Sequence, residues 1–225
     1  MIVRCPRLAV PAYFHPTRDA ATWALLARRT AEIGLVVINP CSGVGAATDP
    51  AYLGLGSGRW RSTVLGYVDT AYARRALDDV VAEAAAYARR YGVGSVFLDQ
   101  VTSGALDLPH YRELARRLRA AGAQRVVLNP GTVPHPGYLE IADVVVTFED
   151  TAQRYRHWRP AAAPVGLAAT CHLVHGAPVA THRGVLAKAA RLGAGYAFVT
   201  DRTLPNPWDG LPGGWAGTAE GGHAS

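Results

Sequence analysis

The stretch "LVVINPCSG", residues 35–43, is apolar over residues 35–38 and then ends on Asn39, Pro40 and a small polar loop. A second stretch, "VVLNPG" at residues 126–131, repeats this arrangement. Short, continuous apolar runs are typical of strands that are buried on both faces of a parallel sheet. Because proline cannot continue a strand ladder, each Asn-Pro pair predicts the point at which a strand ends.

Further apolar, β-branched runs alternate with amphipathic helical patterns along the chain. The predicted strands are residues 8–14, 35–38, 63–68, 95–98, 125–128, 143–147, 164–169 and 196–199. About eight such units in roughly 200 residues favour an α/β fold, a small (β/α)₈ TIM-type barrel, over an open doubly wound sheet. No Gly-x-Gly-x-x-Gly turn follows the first strand, which weighs against a dinucleotide-binding fold.

Three helices are predicted between these strands. Residues 71–91 carry apolar side chains at helical spacing, and Gly92 follows where a left-handed C-cap belongs. A second helix runs from Pro109 to Gly122, and a third covers about residues 179–192. The connections after residues 38 and 128 predict shorter, weaker helices.

Composition predicts one domain with a tail. The chain has 225 residues, of which 49% are hydrophobic and 18% charged, so it can bury a single core. We assign residues 1–204 to the barrel and residues 205–225 to a Gly/Pro-rich tail. This tail carries Trp208 and Trp215, and it is either mobile or folded across the barrel mouth as a platform for a sugar; the sequence does not choose between these.

Charge and cysteine content limit the classes of partner. The net charge is +6, but arginines fall in pairs within helical segments, which indicates solvated helix faces more than nucleic-acid binding. No apolar run approaches the ~20 residues that span a bilayer, and no secretory signal pattern is recognised. We therefore expect a cytoplasmic protein, with an unconventional export route or another start site left open. Cys5, Cys41 and Cys171 are expected to be reduced thiols, and a monomer is favoured.

Polar and aromatic side chains follow the ends of the predicted strands, which meet on one face of a parallel barrel. They are Tyr13, His15, Asn39, Tyr67, Asp69, Thr70, Asp99, Gln100, Asn129, Glu149, Asp150, Thr170, His172, Thr200 and Asp201. Rings stack on sugar faces, while amides and carboxylates bind hydroxyl groups. The sequence therefore predicts a carbohydrate as the partner of this face.

Five stretches in order resemble the spherulin-4 family, which is assigned as glycoside hydrolase family 135: "VPAYFHP", "VVINPCSGVG", "VLGYVDTAYARR", "GVGSVFLDQ" and "DVVVTFE". The similarity extends from about residue 9 to residue 200. It implies a (β/α)₈ barrel and, as in characterised fungal members, endo-hydrolysis of α-1,4-linked N-acetylgalactosamine in galactosaminogalactan. The family's carboxylates correspond here to Asp99 and Glu149. The chain departs from the family at Gln100, where the strand-four motif has a second acid.

Glycoside hydrolysis requires an acid that protonates the leaving oxygen and a second carboxylate that acts as nucleophile or base. We assign Glu149 as general acid/base and Asp99 as nucleophile or electrostatic stabiliser. In the alternative of substrate assistance, the 2-acetamido oxygen of the sugar attacks, and Gln100 holds the substrate. The structural alternatives are a loop cap for Asp99 and an ion pair between Glu149 and Arg154 or Arg156.

The other candidate residues are predicted to bind substrate. Tyr13, His15, Asn39 and Tyr67 are expected to line the pocket. Asp69 binds a sugar hydroxyl or amine, or else starts a helix at Thr70. Asn129 either repeats the role of Asn39 or is a turn residue before Pro130.

No metal and no cofactor are predicted. The spacing of His172, His175 and His182 near Cys171 matches no zinc ligand set, so a surface or pocket-rim position is favoured. Cys41 has no His or Asp at a telling position that would make it a nucleophile.

Two functions follow from the sequence. The first is a glycoside hydrolase that acts on an amino-sugar poly- or oligosaccharide; the second is a barrel that binds carbohydrate without cleaving it, because of Gln100. An enzyme of another reaction type on the same strand-end acids is a third, since a barrel does not fix chemistry. The positive net charge argues against a heavily deacetylated, cationic polymer as substrate.

Overall fold

Eight parallel strands close into a barrel in sequence order, in a computed structural model that describes residues 5–160 and 169–215. The strands are β1 (Arg7–Ala12), β2 (Ile33–Ile38), β3 (Val64–Asp69), β4 (Ser95–Asp99), β5 (Arg125–Leu128), β6 (Val144–Thr151), β7 (Ala169–His175) and β8 (Tyr196–Val199). The predicted barrel is confirmed. The predicted strands at residues 35–38, 95–98, 125–128 and 196–199 lie within or match observed strands.

Helices cover the barrel between most of the strands. They are α1 (Ala20–Arg28), α2 (Leu77–Tyr91), α3 (Leu108–Ala120), α4 (Ala152–His157) and α5 (His182–Arg191). After β2 and β5, the described chain forms only short 3₁₀ turns, at Pro50–Tyr52, Gly58–Trp60 and Pro136–Glu140. These are the two connections for which the sequence predicted short, weak helices.

The sequence predicted the end of helix α2 correctly but not its start. Gly92 ends it with φ 69°, the predicted left-handed cap. Its first turn carries two aspartates and its last turn two arginines, which complements the helix dipole. The predicted start at residue 71 is wrong: residues 71–73 adopt left-handed φ angles, and the helix begins only at Leu77. Asp69 therefore does not start a helix at Thr70.

The strand β7 lies later in the chain than predicted. The strand expected at residues 164–169 overlaps the observed one only at Ala169, and residues 164–168 lie outside the described residues. Thr170 and His172 are consequently buried inside β7 rather than beyond its end. The side chain that β7 brings to the carboxyl-terminal face is that of its last residue, His175.

A bulge in β6 reverses the alternation of its side chains. Val146 pairs with Cys171, but Phe148 pairs with His172 and Glu149 with Leu173, so Thr147 is an extra residue. Phe148 packs outside the barrel against Tyr155 of α4, with ring centroids 4.7 Å apart. Because of this extra residue, Glu149 faces the barrel interior together with Leu173.

The described part of the tail packs onto the barrel where β1 and β8 diverge. These strands pair only at Arg7 with Tyr196 and Leu8 with Ala197. Farther up, the Tyr13 N–H donates to the carbonyl oxygen of Trp208 at 3.1 Å. The rings of Trp208 and Trp215 both contact Phe198, and both tryptophans are buried. Residues 205–215 thus pack into the barrel's β1–β8 seam, and Trp208 lies at the mouth.

Within residues 5–160 and 169–215, no helix has the length and apolar character that crossing a membrane requires.

The packing of α2 on the sheet depends on a glycine in β3. A Cβ at Gly66 would lie 2.4 Å from the Tyr87 ring, which is buried and has little freedom to move. We expect Gly66→Ala to lower the free energy of unfolding by about 1–3 kcal/mol, the usual cost of overpacking a core. Chemical denaturation would measure this.

Gly184→Ala in α5 is the matched control, since a Cβ there meets nothing within 4 Å. We expect it to be neutral or to stabilise by up to about 1 kcal/mol, because alanine favours helix. Equal effects of the two substitutions would contradict the assigned packing of Tyr87.

Candidate active site

A single amide group joins the two predicted carboxylates. The Asn129 Nδ2 donates to Asp99 Oδ1 at 2.8 Å and to Glu149 Oε2 at 2.6 Å. Because one nitrogen bonds both oxygens, these oxygens lie at most 5.4 Å apart, the sum of the two distances. The Asn129 Oδ1 accepts from the Gly131 N–H at 3.0 Å, which fixes the orientation of the amide.

Asp99 is the last residue of β4 and is held on both oxygens. The Tyr67 hydroxyl donates to Oδ2 at 2.9 Å, and Asn129 donates to Oδ1. Burial raises the pKa of the Asp99 carboxyl above its ordinary value, while hydrogen bonds from the Gln100 backbone, Tyr67 and Asn129 lower it. These bonds favour the charged carboxylate and oppose the effect of burial.

Glu149 lies on the other side of the shared amide. Burial and the nearby Asp99 charge raise its pKa to about 7, while hydrogen bonds from Asn129 and the Trp208 side chain lower it. The ion pair considered for Glu149 falls instead on its neighbour, since Arg154 Nε lies 3.4 Å from Asp150 Oδ2. Near neutral pH, Glu149 therefore holds a proton for part of the time, as a general acid must.

Two cavities meet at these carboxylates. One has a volume of ≈ 320 Å³ and the other of ≈ 350 Å³, and both are lined by Asp99, Asn129, Glu149 and His175. The first continues between Tyr13 and the 204–208 segment, and the second continues past Tyr72, Gln100, Pro130, Gly131 and Asp150. A larger groove of ≈ 910 Å³ begins at Gly131, Glu149 and Asp150 and extends to Trp158. The carboxylate pair thus lies in the middle of an extended depression.

Tyr13 and Tyr67 pack beside the pair: Tyr13 lines the first cavity, and Tyr67 lies behind it, bonded to Asp99. Their rings contact edge to face, with centroids 5.6 Å apart. Burial is the main cause that raises the pKa of both phenols, and the Asp99 and Glu149 charges add to it. Both phenols therefore stay protonated at neutral pH, so that the Tyr67 hydroxyl remains a donor to Asp99.

Gln100 and Asp69 form a pair at the rim. The Gln100 Nε2 donates to Asp69 Oδ2 at 2.9 Å, and Asp69 Oδ1 accepts from the Ala71 N–H at 2.6 Å. Gln100 also lines the second cavity. Both carboxylate oxygens of Asp69 thus accept internal hydrogen bonds. The predicted contact of Asp69 with substrate would use oxygens that are already bonded within the protein.

His15 and Asn39 hold loops together. His15 Nε2 lies 2.8 Å from Asp49 Oδ2, and Asn39 Oδ1 accepts from the Gly43 N–H at 2.6 Å. The described walls of the two central cavities are built by other residues. The two Asn-Pro pairs thus differ: Asn39 caps its own loop, whereas Asn129 joins the carboxylates.

Tyr72, His175 and Trp208 also line the two central cavities, and none of them is among the predicted substrate-binding residues. For Trp208 the sequence allows a sugar platform among its alternatives, and for His175 it favours a surface or pocket-rim position. His175 is buried, and its Nδ1 has no hydrogen-bond partner among the described residues. The signal that could have identified His175 is its position at the end of a strand. The predicted strand ends at residue 169, six residues before the observed end of β7.

The remaining histidines and cysteines lie elsewhere. His172 is bonded to the Tyr155 hydroxyl at 2.7 Å, and His182 Nε2 lies 2.9 Å from the Ala177 carbonyl oxygen. Cys171 is buried, while Cys41 is exposed in the loop after β2. In the described part of the chain, no group of three or more His, Cys, Asp and Glu side chains is arranged to hold a metal ion.

Comparisons with known proteins agree with the fold. The sequence model of the family described as spherulation-specific family 4 matches residues 7–220. Spherulin-4 from Physarum polycephalum is 32% identical over 158 residues, which are 67% of this chain and 47% of that protein, so the chain spans about half the length of this curated relative. The crystal structure of Aspergillus clavatus Sph3 in complex with GalNAc matches with a TM-score of 0.75 at 24% identity, covering 94% of this chain and 95% of that one.

The raised pKa of Glu149 predicts a pH-dependent stability. The native state keeps the Glu149 proton to about pH 7, whereas the unfolded chain releases it near the ordinary glutamate pKa of 4.5. The unfolded state therefore binds fewer protons between these values, and the free energy of unfolding falls as the pH rises through this window.

We expect Glu149→Gln to remove this penalty. The variant should be about 1–3 kcal/mol more stable than the parent at pH 8 and little different at pH 4, since each pKa unit corresponds to about 1.4 kcal/mol. Urea denaturation at both pH values would measure it. Glu140→Gln, at an exposed glutamate, should show no such dependence; a constant difference for Glu149→Gln would show that its pKa is not raised.

Proposed function

This chain belongs to spherulation-specific family 4, and from that premise we propose that it is a glycoside hydrolase that cleaves an amino-sugar poly- or oligosaccharide. Asp99 and Glu149 are its catalytic carboxylates. The substrate contains N-acetylgalactosamine, the sugar named with the Aspergillus clavatus Sph3 structure. Tyr13, Tyr67 and Asn129 surround the reacting bond.

One observation carries this proposal: two half-buried carboxylates with different hydrogen-bond donors share one amide donor inside a cleft. Their facing oxygens lie at most 5.4 Å apart. This upper bound lies below the gap of about 6.5–9.5 Å in inverting glycosidases and is compatible with the gap of about 5–5.5 Å in retaining ones. The pair therefore favours retention of the anomeric configuration.

The environments of the two carboxylates assign their roles. Glu149, with a pKa raised to about 7, donates its proton to the glycosidic oxygen as the bond to the anomeric carbon breaks. Asp99, which accepts bonds from Tyr67 and Asn129, remains charged and faces the developing positive charge. It acts either as the nucleophile or by orienting the 2-acetamido group of the sugar. Glu149 then removes a proton from the water that completes hydrolysis.

The binding-only alternative rests on Gln100, which stands where the family has an acid. The Gln100 amide donates to Asp69 and takes no part in the hydrogen bonds that join Asp99, Asn129 and Glu149. The carboxylate pair is therefore complete without an acid at this position, which supports hydrolysis over binding alone.

We expect the purified protein to shorten α-1,4-linked N-acetylgalactosamine oligosaccharides, with products identified by mass spectrometry. Glu149→Gln and Asp99→Asn should each lower the rate by at least about 100-fold, the usual contribution of a catalytic acid or base. Glu140→Gln, at an exposed side chain at the end of the 3₁₀ turn Pro136–Glu140, should cleave like the parent. Binding by the parent without cleavage would favour the binding barrel instead.

The pKa of Glu149 also predicts the alkaline limb of the reaction. Because the acid must be protonated, kcat/KM should fall as the pH rises above about 7. Asn129→Ala removes a bond that lowers this pKa, so the midpoint of the limb should move to higher pH in that variant. A rate that is flat from pH 6 to pH 9 would contradict the assignment of Glu149 as general acid.

A further inference from the structure

We propose that Tyr72 is a stacking platform for a sugar ring beside the cleavage point, and that Gln100 and Asp69 position it. This inference rests on the proposed function, since it places a neighbouring unit of the same oligosaccharide. Tyr72, which lies outside the carboxylate network, would bind the C–H face of a pyranose ring.

The exposure of Tyr72 distinguishes it from the other tyrosines of the site. Its side chain is 51% exposed, whereas Tyr13 and Tyr67 are largely shielded and Tyr67 donates its hydroxyl to Asp99. Tyr72 lines the cavity that also contains Asp99 and Glu149. A half-exposed ring in the wall of a polar cleft offers an apolar surface to a sugar, which the buried rings do not.

The backbone that carries Tyr72 is strained. Ala71, Tyr72 and Ala73 have φ angles of 47°, 54° and 66°, three consecutive residues in the left-handed region without a glycine. Each such residue costs about 1–2 kcal/mol relative to right-handed backbone. Strained backbone of this kind persists where surrounding contacts hold it, and it is concentrated at ligand sites.

The contacts that hold this turn lead back to Gln100. The Tyr72 N–H donates to the Gln100 carbonyl at 2.8 Å, and the Ala71 N–H donates to Asp69 Oδ1 at 2.6 Å. The Gln100 side chain donates to the other Asp69 oxygen at 2.9 Å. Arg75 adds a bond to the Asp69 carbonyl at 2.6 Å and an ion pair to Glu83 at 2.8 Å.

This network gives a reason for the amide at position 100. A carboxylate there has no hydrogen to donate and would face the Asp69 carboxylate with like charge. Gln100 itself has φ 51°. Its carbonyl oxygen accepts from the Tyr72 N–H and its side chain donates to Asp69, so both its backbone and its side chain hold the turn. Gln100, which replaces the family's acid, therefore stabilises the turn that carries Tyr72.

Arg74 fixes the ring on one side. Its guanidinium carbon lies over the Tyr72 ring, 5.8 Å from the ring centroid, within cation–π distance. The ring remains half-exposed with this contact in place. A contact that restrains the ring before binding reduces the conformational freedom that is lost on binding.

The test measures binding by calorimetry in the Glu149→Gln background, so that the oligosaccharide is not consumed. The probes are an α-1,4-linked N-acetylgalactosamine oligosaccharide and the free monosaccharide. Tyr72→Ala should weaken oligosaccharide binding about tenfold, the loss of one stacking contact, and leave monosaccharide binding unchanged. Tyr72→Phe should bind like the parent, because the hydroxyl is not required for stacking.

The control is Leu53→Ala, which truncates an apolar side chain of similar exposure, 55%. It should leave the binding of both probes unchanged. In the active enzyme, Tyr72→Ala should raise KM with little change in kcat, since stacking is equal in the ground and transition states. If the variant were partly unfolded, less of the protein would be active, and the measured kcat would fall instead.

Gln100→Glu tests the positioning role. We expect it to weaken oligosaccharide binding in the same direction as Tyr72→Ala and to leave monosaccharide binding unchanged. A gain in cleavage rate for Gln100→Glu would overturn this role and show that position 100 is suited to a catalytic acid.

The outcomes separate the two proposals. Cleavage by the parent together with unchanged oligosaccharide binding by Tyr72→Ala would overturn the platform and leave the hydrolase intact. If the parent neither binds nor cleaves the oligosaccharide, the proposed function fails, and the platform fails with it.

Discussion

The site depends on the amide of Asn129, whose one nitrogen donates to both Asp99 and Glu149. Two carboxylates buried together repel each other when both are charged, so one of them keeps its proton to higher pH. Asn129 limits this repulsion and fixes the distance between the two groups, while the Gly131 N–H keeps its donor side facing them. Tyr67 adds a donor to Asp99 alone, and Trp208 adds one to Glu149. The result is a pair whose members have different hydrogen-bond donors, and unequal environments of this kind are what acid and nucleophile chemistry needs.

The barrel supplies this arrangement through two local irregularities. The extra residue at Thr147 turns Glu149 toward the interior, although regular alternation from Val146 would direct it outward. The short pairing of β1 with β8 leaves a seam into which the residues after Leu204 pack, and this brings Trp208 over the mouth. Both features distort the regular barrel, and both place a side chain at the carboxylates. The regular part of the barrel provides the rigid frame on which these distortions are held.

The polar groups at the carboxyl ends of the strands form two separate hydrogen-bond networks. Asp99, Asn129 and Glu149 bond to one another inside the cleft, whereas Asp69 and Gln100 bond to the strained turn beside it. Asp69 and Asp99 are neighbours in the pairing of β3 with β4, so their side chains start from adjacent positions at the same edge. Asp69 is bonded to the Ala71 backbone and Gln100. Asp99 is bonded instead to Tyr67 and Asn129, within the cleft that we propose to be catalytic.

The sequence by itself determined the barrel, most strand ends and the face on which Asp99 and Glu149 lie, because buried strands and helix caps leave local signals. It did not distinguish Asn39 from Asn129, since both follow an apolar run and precede proline. Only the tertiary structure gave Asn129 its two carboxylates and left Asn39 capping a loop. The left-handed turn before α2 and the bulge in β6 were likewise decided by contacts between residues that are far apart in the chain. Periodicity reports whether a side chain is buried, whereas register, bulges and barrel closure decide which side chains meet.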